Sequence, residues 1–396
     1  MPAGLGKLSS LQSLSNFYVV DDRQTKTKSG KLNELQNLNS LRGNLEINRL
    51  DQVKDVMPES QHVNLKGKKL LVSLELNWEN QDKIEDSLQL LENLHPHQHL
   101  RRLQVRCYPG DRFSNWLSEI NHLSYISLFG FDNCKSLPPL EHLPYLKSLE
   151  ISSMKVLEYI KFEVVSHTEA TLFPSLERLK FSGCKNFKGW KRIEGDAGLV
   201  HLSLPQLDRL SQLIINKCPN LTYLPTFPNV EELQLCECMV KPLKETLDIA
   251  SSSSSTPLSK LKSLKIEGKL PDISLLPSRW KQNLTSLERL EIGDVDNLDI
   301  WFEDNFPSLQ KVVVYGCDLK ALPSKMCDML SLQHVKMMGC HKLASLPKEM
   351  VKLINLVTLE IWDCPLLVER CQSETGVDWP QVKHVSNIIL RQNLRR

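Results

Sequence analysis

The hydrophobic residues of this chain follow a repeating nine-residue pattern that is clearest between Leu287 and Cys364. Four copies begin at Leu287, Leu309, Leu332 and Leu356, at intervals of 22, 23 and 24 residues. Each copy has apolar residues at its first, fourth and sixth places, and three of the four have a charged residue between them at the fifth. Because successive side chains of a strand point to opposite faces, this alternation predicts a short strand with one buried face.

One such repeat buries too few apolar side chains to offset the entropy lost when its roughly 23 residues become ordered, so the repeats must stack. Their period lies within the roughly 20 to 29 residues typical of leucine-rich repeats. Leu-Pro dipeptides recur between the predicted strands, and proline there favours extended turns over helices. The predicted fold is an α/β solenoid, a leucine-rich-repeat horseshoe with a concave parallel β-sheet and an irregular, loop-rich convex side with few helices.

The pattern continues towards both ends, and we interpret residues 1–396 as a single leucine-rich-repeat domain of about 14 repeats. Residues 1–50 hold the first repeats and are expected to be truncated at the N-terminus, because no polar capping segment precedes their leucines. Residues 79–99 are predicted to be a helical insertion, because apolar residues recur there every three to four positions. Residues 241–260 form a serine-rich loop, and residues 365–396 form a C-terminal closing segment.

The charge of the chain is nearly balanced, with 49 Lys and Arg against 47 Asp and Glu, so it does not favour nucleic acid or an anionic membrane. No apolar run approaches the roughly 18 residues of a membrane span, and no signal peptide pattern begins the chain. Six of the eleven cysteines occupy the ninth place of their repeats, where we expect buried thiols in a reducing compartment. These are Cys184, Cys218, Cys238, Cys317, Cys340 and Cys364. We therefore expect a cytoplasmic location and no membrane span.

Two groups of residues have spacing that metal ligands can have. His95, His97 and His99 alternate beside a proline, and we expect them to be solvated in a loop. Cys236 and Cys238 are separated by one residue along a strand, and we expect their sulfurs to face different surroundings. No serine or cysteine lies in a recognisable nucleophile motif. The sequence predicts no metal, no cofactor and no enzymatic activity.

Three stretches together carry a resemblance to a known family. The first spans residues 74–117, with the motifs Leu-Glu-Leu-Asn-Trp, Leu-Leu-Glu-Asn-Leu, His-Pro-His and Tyr-Pro-Gly in that order. The second is the opening Phe-Pro-Ser-Leu at Phe173 and Phe306, together with Gly-Cys pairs in the repeats. The third spans residues 371–388 and contains Asp-Trp-Pro. In these motifs the chain resembles the plant intracellular disease-resistance proteins of the coiled-coil class, which also carry a nucleotide-binding module and leucine-rich repeats.

The resemblance covers the leucine-rich-repeat region only. Ser114 stands where the family usually has proline, and no G-x-x-x-x-G-K-[ST] phosphate loop occurs in the chain. The resemblance implies that the repeats recognise a protein, either a pathogen effector or host protein, or the nucleotide-binding module of the same receptor. It leaves open which of these partners is bound.

Side chains at places five and seven of each repeat are predicted to lie on the concave face of the sheet. Three adjacent repeats carry Tyr315, Met338 and Trp362 at place seven; we call these residues the place-seven row. Exposed aromatic and methionine side chains with a polar rim are typical of protein interfaces. The predicted protein-binding residues are Val313, Tyr315, Lys336, Met338, Glu360 and Trp362. The alternative is that the closing segment around Trp379 folds back over the row as a cap.

These observations predict a recognition domain of a plant innate-immune receptor that binds a protein through its concave surface. A free-standing leucine-rich-repeat scaffold or inhibitor protein is the alternative from another class. The two differ in whether the repeats act on a switch elsewhere in the same protein. Such a switch requires the ligand to bind two receptor states with different affinity.

Overall fold

The computed structural model describes residues 3–20, 30–80, 86–163, 172–193, 206–239, 242–244, 258–268, 280–295 and 297–392. The chain divides into two compact units. The first unit comprises Met1–Leu210 and Lys217–Thr226, and the second comprises Ser211–Asn216 and Phe227–Arg396. Residues 81–85 of the predicted insertion, and all of the predicted serine-rich loop except 242–244 and 258–260, lie outside the described residues.

The first unit contains nine strands among its described residues. They are β1 (Asn16–Tyr18), β2 (Arg42–Asn48), β3 (Leu70–Asn77), β4 (Arg102–Arg106), β5 (Tyr125–Phe129), β6 (Ser148–Ser152), β7 (Tyr159–Glu163), β8 (Arg178–Ser182) and β9 (Gly189–Ile193). Seven of them pair in the order β1-β2-β3-β4-β5-β6-β8 as a parallel sheet, and β7 pairs in parallel with β9 in a separate sheet. The α-helices are α1 (Val56–Ser60), α2 (Ser87–Asn93) and α3 (Trp116–Glu119).

The second unit continues the same construction with one strand for each repeat. Its described strands are β10 (Gln212–Asn216), β11 (Glu232–Cys236), β12 (Ser263–Glu267), β13 (Arg289–Gly293), β14 (Lys311–Tyr315), β15 (His334–Met338), β16 (Thr358–Trp362) and β17 (Asn387–Arg391). Each pairs in parallel with the next in sequence. Two α-helices, α4 (Pro365–Arg370) and α5 (Trp379–Val382), lie between β16 and β17.

The apolar places of the repeat form the core. Around β13, for example, Leu287, Leu290 and Ile292 are fully buried, whereas Arg289 and Glu291 on the opposite face are not. The parallel pairing keeps equivalent places of neighbouring repeats side by side, as in Leu290 beside Val312. The predicted leucine-rich-repeat solenoid, with a parallel sheet that has one buried face, is confirmed.

The connections between the strands hold few and short helices, as predicted. The described α-helices have between four and seven residues, and none of the described helices is long and apolar enough to cross a membrane. Other turns are 3-10 helices: Leu5–Lys7, Leu32–Leu35, Leu50–Gln52, Leu65–Gly67, Trp280–Asn283, Asp299–Phe302, Ser324–Asp328 and Lys348–Lys352. Pro323 and Pro347 of two Leu-Pro dipeptides are extended and directly precede two of these helices.

The strand β17 is an element that the repeat pattern did not predict. It lies in the closing segment and pairs with β16 along its whole length, from Thr358 opposite Asn387 to Trp362 opposite Arg391. Its three central residues are apolar in succession and none is fully buried, so the period-two signal of the other strands is absent. Pairing with β16 supplies its hydrogen bonds instead.

Candidate protein-binding surface

The place-seven row is aligned by the pairing of the strands. Tyr315 lies opposite Met338, and Met338 lies opposite Trp362, without a bulge between them. All three side chains remain partly exposed on the outer face of the sheet in the second unit. In the pairing register, Gly293 precedes the row on β13 and Arg391 follows it on β17.

The ring of Tyr315 lies along the sheet rather than away from it. Gly293 makes this possible, because a Cβ atom at that position would overlap the ring carbon Cε2. The phenol hydroxyl donates a hydrogen bond of 2.7 Å to Glu267 Oε2 on β12, and Lys265 Nζ lies 5.2 Å from the ring centroid. Burial of the hydroxyl and its bond to the Glu267 carboxylate raise the pKa of Tyr315 above its ordinary value. The ring is therefore held across two strands.

Trp362 is held at the other end of the row by cations. Lys336 Nζ lies 3.5 Å from the centroid of the indole ring, and the Arg391 guanidinium carbon lies 4.9 Å from it. Lys336 also forms an ion pair of 3.1 Å with Glu360 Oε2. Cation–π contacts of this kind stabilise a ring by about 0.5 to 2 kcal/mol. Lys336 and Glu360 thus support the indole in addition to supplying charge beside it.

Val313 is the one predicted residue that the structure removes from the accessible surface. It is only 7% exposed, although it lies on the outer face of β14. Its neighbours in the pairing register are Glu291 and Lys336, whose side chains are much longer. Val313 therefore offers little accessible surface beside the row, because a short side chain between long ones is covered by them, and its role as a contact residue stays a prediction.

The segment around Trp379 packs against connections rather than over the place-seven row. Asp378 accepts hydrogen bonds from Arg370 Nη2 at 2.7 Å and from the backbone N–H of Leu346 at 3.1 Å. His384 Nε2 lies 3.1 Å from the carbonyl oxygen of Leu353. Leu346 and Leu353 belong to the connection between β15 and β16, so these contacts lie away from the outer face of those strands.

The outer face of the first unit carries an aromatic and arginine group that is not among the predicted binding residues. The guanidinium of Arg102 stacks on the ring of Tyr125 at 4.3 Å, and Phe129 is 43% exposed on the same strand. Arg106 Nε is 2.7 Å from Glu75 Oε1, and burial raises the pKa of Glu75 despite this partner. Arg102 and Tyr125 lie at place three of their repeats, which is on the same face of the strand as places five and seven, so the repeat pattern carries the signal for them.

Within each of the two groups with metal-ligand spacing, the residues occupy different surroundings in the structure. His95 stacks on Trp116, with ring centroids 5.7 Å apart, whereas His97 and His99 lie with ring centroids 4.5 Å apart. Within the described ranges, no group of three or more His, Cys, Asp or Glu residues is placed to hold a metal ion.

Cys236 and Cys238 occupy different surroundings, but not because of strand alternation, which would put residues two apart on one face. Glu237 between them has a positive φ of 49°, which turns the chain after β11. Cys238 is buried within hydrogen-bonding distance of the carbonyl oxygen of Ile215, at 3.5 Å. Cys236 stays on the outer face, where burial raises the pKa of its thiol to about 12.

Comparison with known proteins identifies leucine-rich repeats, as the fold does. Residues 32–154 match the family model described as R13L1/DRL21 LRRs. The chain is 30% identical over 404 residues to a protein of Solanum bulbocastanum described as disease resistance protein RGA4, which covers 98% of this chain and 38% of that protein. It is 31% identical over 300 residues to RGA1 of the same species, covering 75% of this chain and 28% of that protein.

A solved leucine-rich-repeat protein of Leptospira interrogans superposes with a TM-score of 0.51 at 19% identity, covering 97% of each chain. By fold, the chain is a leucine-rich-repeat protein. Its sequence relatives over most of its length are plant disease-resistance proteins, as the motifs indicated. The chain spans about a third of the length of the first two of these relatives.

Proposed function

We propose that this chain is the recognition region of a plant immune receptor and that it binds a protein through the outer face of β13 to β16. The observation that carries the proposal is the in-register row of Tyr315, Met338 and Trp362, partly exposed on adjacent strands. Tyrosine, tryptophan and arginine are the residues most enriched at the energetic centres of protein interfaces.

The row is organised before any partner arrives, which favours tight binding. Tyr315 is fixed by Gly293 and Glu267, and Trp362 is fixed by Lys336 and Arg391. A side chain that is already immobilised loses little entropy on binding, so more of its contact energy appears as affinity. Met338 between them is flexible and can adapt to the shape of a partner.

The surroundings of the row indicate the chemistry of that partner. Lys265 and Glu267 flank it on one side, and Lys336, Glu360 and Arg391 flank it on the other, so both charges are present. A complementary surface would have an apolar centre over Met338 and a mixed polar rim. Such a surface belongs to a folded protein or an amphipathic segment rather than to a polyanion.

Two kinds of partner remain within the proposal, which also includes a cytoplasmic location for the chain. One is a pathogen effector or a host protein, and the other is a nucleotide-binding module in the same receptor. A free-standing repeat scaffold or inhibitor would use the same surface without a switch. These possibilities differ in which proteins are found at the row, so one experiment can separate them.

The test is quantitative proximity labelling in leaf cells that express the chain within its full-length gene product. We expect Tyr315→Ala/Trp362→Ala to reduce the labelling of at least one protein about tenfold or more, since two hot-spot truncations cost several kcal/mol. The matched control is His122→Ala/Tyr145→Ala, which removes an exposed stacked ring pair away from the strand faces. Labelling that falls equally in both variants, or in neither, would contradict the proposal.

A further inference from the structure

The two-stranded sheet of β7 and β9 in the first unit is separate from the sheet of repeat strands. We call it the β7–β9 ribbon. One side of the ribbon is anchored, because Ile160, Phe162 and Trp190 are buried and Trp190 packs edge-on against Phe181 and Phe187. The alternate residues must therefore face away from the core.

The outward side of the ribbon brings two lysines directly together. Lys161 of β7 lies opposite Lys191 of β9 in the parallel pairing, and both side chains are exposed. Neighbouring strands are about 4.8 Å apart, and like charges placed opposite each other on a sheet are destabilising. Within the described part of the chain, neither lysine forms an ion pair with a carboxylate.

The ribbon and the residues just before its strands carry an excess of positive charge. Segments 155–163 and 185–193 together contain six basic residues and two glutamates, and the lysines are Lys155, Lys161, Lys185, Lys188 and Lys191. Lys155 is paired with Asp132 at 2.5 Å and Lys188 with Glu158 at 3.0 Å, which leaves the other three without a carboxylate among the described residues. The net charge of the whole chain is only +2, so the excess is local.

Tyr159 lies at the start of the same side and contributes an aromatic face. Lys188 Nζ and Lys191 Nζ lie 5.7 and 5.9 Å from the centroid of its ring. The ring holds both ammonium groups near the surface by cation–π attraction. It also offers apolar contact area beside the charges.

We infer that the outward side of the β7–β9 ribbon is a docking surface for an acidic, extended segment of a partner protein. Alternate side chains of an extended peptide are about 6.6 to 7 Å apart, so a peptide with glutamates or aspartates at every second position presents a row of carboxylates on one side, and these can pair with Lys161 and Lys191. Carboxylates there would relieve the repulsion between Lys161 and Lys191. A nucleic acid or a membrane would draw on a wider positive field, which a nearly neutral chain does not supply.

This surface differs from the place-seven row in unit and in strands, so the two proposals stand or fall separately. The probe is a fluorescein-labelled peptide of five Glu-Ser pairs, and its binding to the full chain is followed by fluorescence anisotropy at low salt. We expect Lys161→Gln/Lys191→Gln to weaken binding about fivefold or more, and added salt to weaken wild-type binding. A peptide of Gln-Ser pairs is expected not to bind.

The control variant Lys260→Gln/Lys342→Gln removes the same total charge from exposed lysines of the second unit, which pair with Asn229 and Asp318. It should leave the affinity within about twofold of wild type. Thermal unfolding checks the fold, and the ribbon variant should melt close to wild type because the lost repulsion offsets the lost cation–π contact between Lys191 and Tyr159.

Three results would overturn the assignment. They are a wild-type chain that does not bind the peptide, an equal loss in both variants, and tighter binding to a single-stranded oligonucleotide or anionic vesicle.

Discussion

Tyr315 illustrates how single residues shape the outer face of the sheet. Its strand position put it in the place-seven row, but its orientation depends on Gly293 one strand away and on Glu267 two strands away. Val313 lies on the same face, but its neighbours Glu291 and Lys336 cover it and leave it little exposed surface. At this scale the environment of a side chain, rather than its place in the repeat, decides what it can contact.

Lys68 is a buried residue with a clear pH consequence. Its side chain is fully buried and Nζ donates a hydrogen bond of 2.6 Å to the carbonyl oxygen of Leu35. Burial lowers its pKa from 10.5 to about 8. As pH rises from about 8 to 10.5 the folded chain gives up this proton before the unfolded chain does, so the contribution of Lys68 to stability increases with pH.

We therefore predict that Lys68→Met stabilises the chain at pH 7 and that this advantage shrinks as pH approaches 10.5. The change across that window is of the order of 3 kcal/mol, from about 1.4 kcal/mol for each pKa unit. Urea unfolding of wild type and variant at several pH values measures it. The exposed neighbour Lys69→Met is the control for the change of side chain. A difference between Lys68→Met and wild type that stays constant over this pH range would refute the prediction.

At the scale of the element, most of the repeat strands end in the same backbone conformation. Place eight of the repeat has a positive φ in twelve repeats of the described chain. These residues are Arg49, Cys107, Gly130, Ser153, Gly183, Lys217, Glu237, Gly268, Asp294, Gly316, Gly339 and Asp363. This left-handed turn ends the strand and directs the ninth-place residue into the core, which explains the recurrent Gly-Cys pair. The six predicted ninth-place cysteines are all buried.

Opposite substitutions at place eight should have opposite effects on stability. Ser153→Gly should raise it by about 0.5 to 1 kcal/mol, and Gly316→Ala should lower it by about 1 kcal/mol, because only glycine adopts this conformation without strain. A Cβ atom on Gly316 would meet nothing nearer than 3.9 Å, so the change tests the backbone alone. Thermal and urea unfolding measure both, and a neutral Gly316→Ala would contradict the explanation.

At the scale of the whole molecule, the closing segment ends the sheet of the second unit. β17 covers the hydrogen-bonding edge of β16, which would otherwise be open to pairing with another chain. Asp378 ties the segment down: it is 1% exposed and holds Arg370 through two hydrogen bonds of 2.9 and 2.7 Å. The Asp-Trp-Pro motif recognised in the sequence therefore has a structural role.

Asp378→Asn is predicted to loosen this closure at a cost of about 1 to 3 kcal/mol, because it weakens charge-assisted hydrogen bonds to a buried group. Hydrogen exchange followed by mass spectrometry should show faster exchange in Asn387–Arg391, with β10 to β12 unchanged. Arg391→Gln, which removes the cation beside Trp362 but keeps the backbone pairing, is the control and should leave that exchange nearly unaltered. Equal protection in Asp378→Asn and wild type would refute the role of Asp378.

The class of fold, the positions of the repeat strands and the burial of the ninth-place cysteines followed from the sequence, because strand alternation and the repeat period are local and recur along the chain. The row of Tyr315, Met338 and Trp362 was also predictable, since parallel pairing aligns equivalent places. That the repeats act as one domain stays a prediction. Tertiary structure decided the covering of Val313, the position of β17, the left-handed residue between Cys236 and Cys238, and the ribbon that opposes Lys161 and Lys191. Each of these depends on neighbours brought together by folding, such as Tyr315 and Glu267, which lie 48 residues apart in sequence.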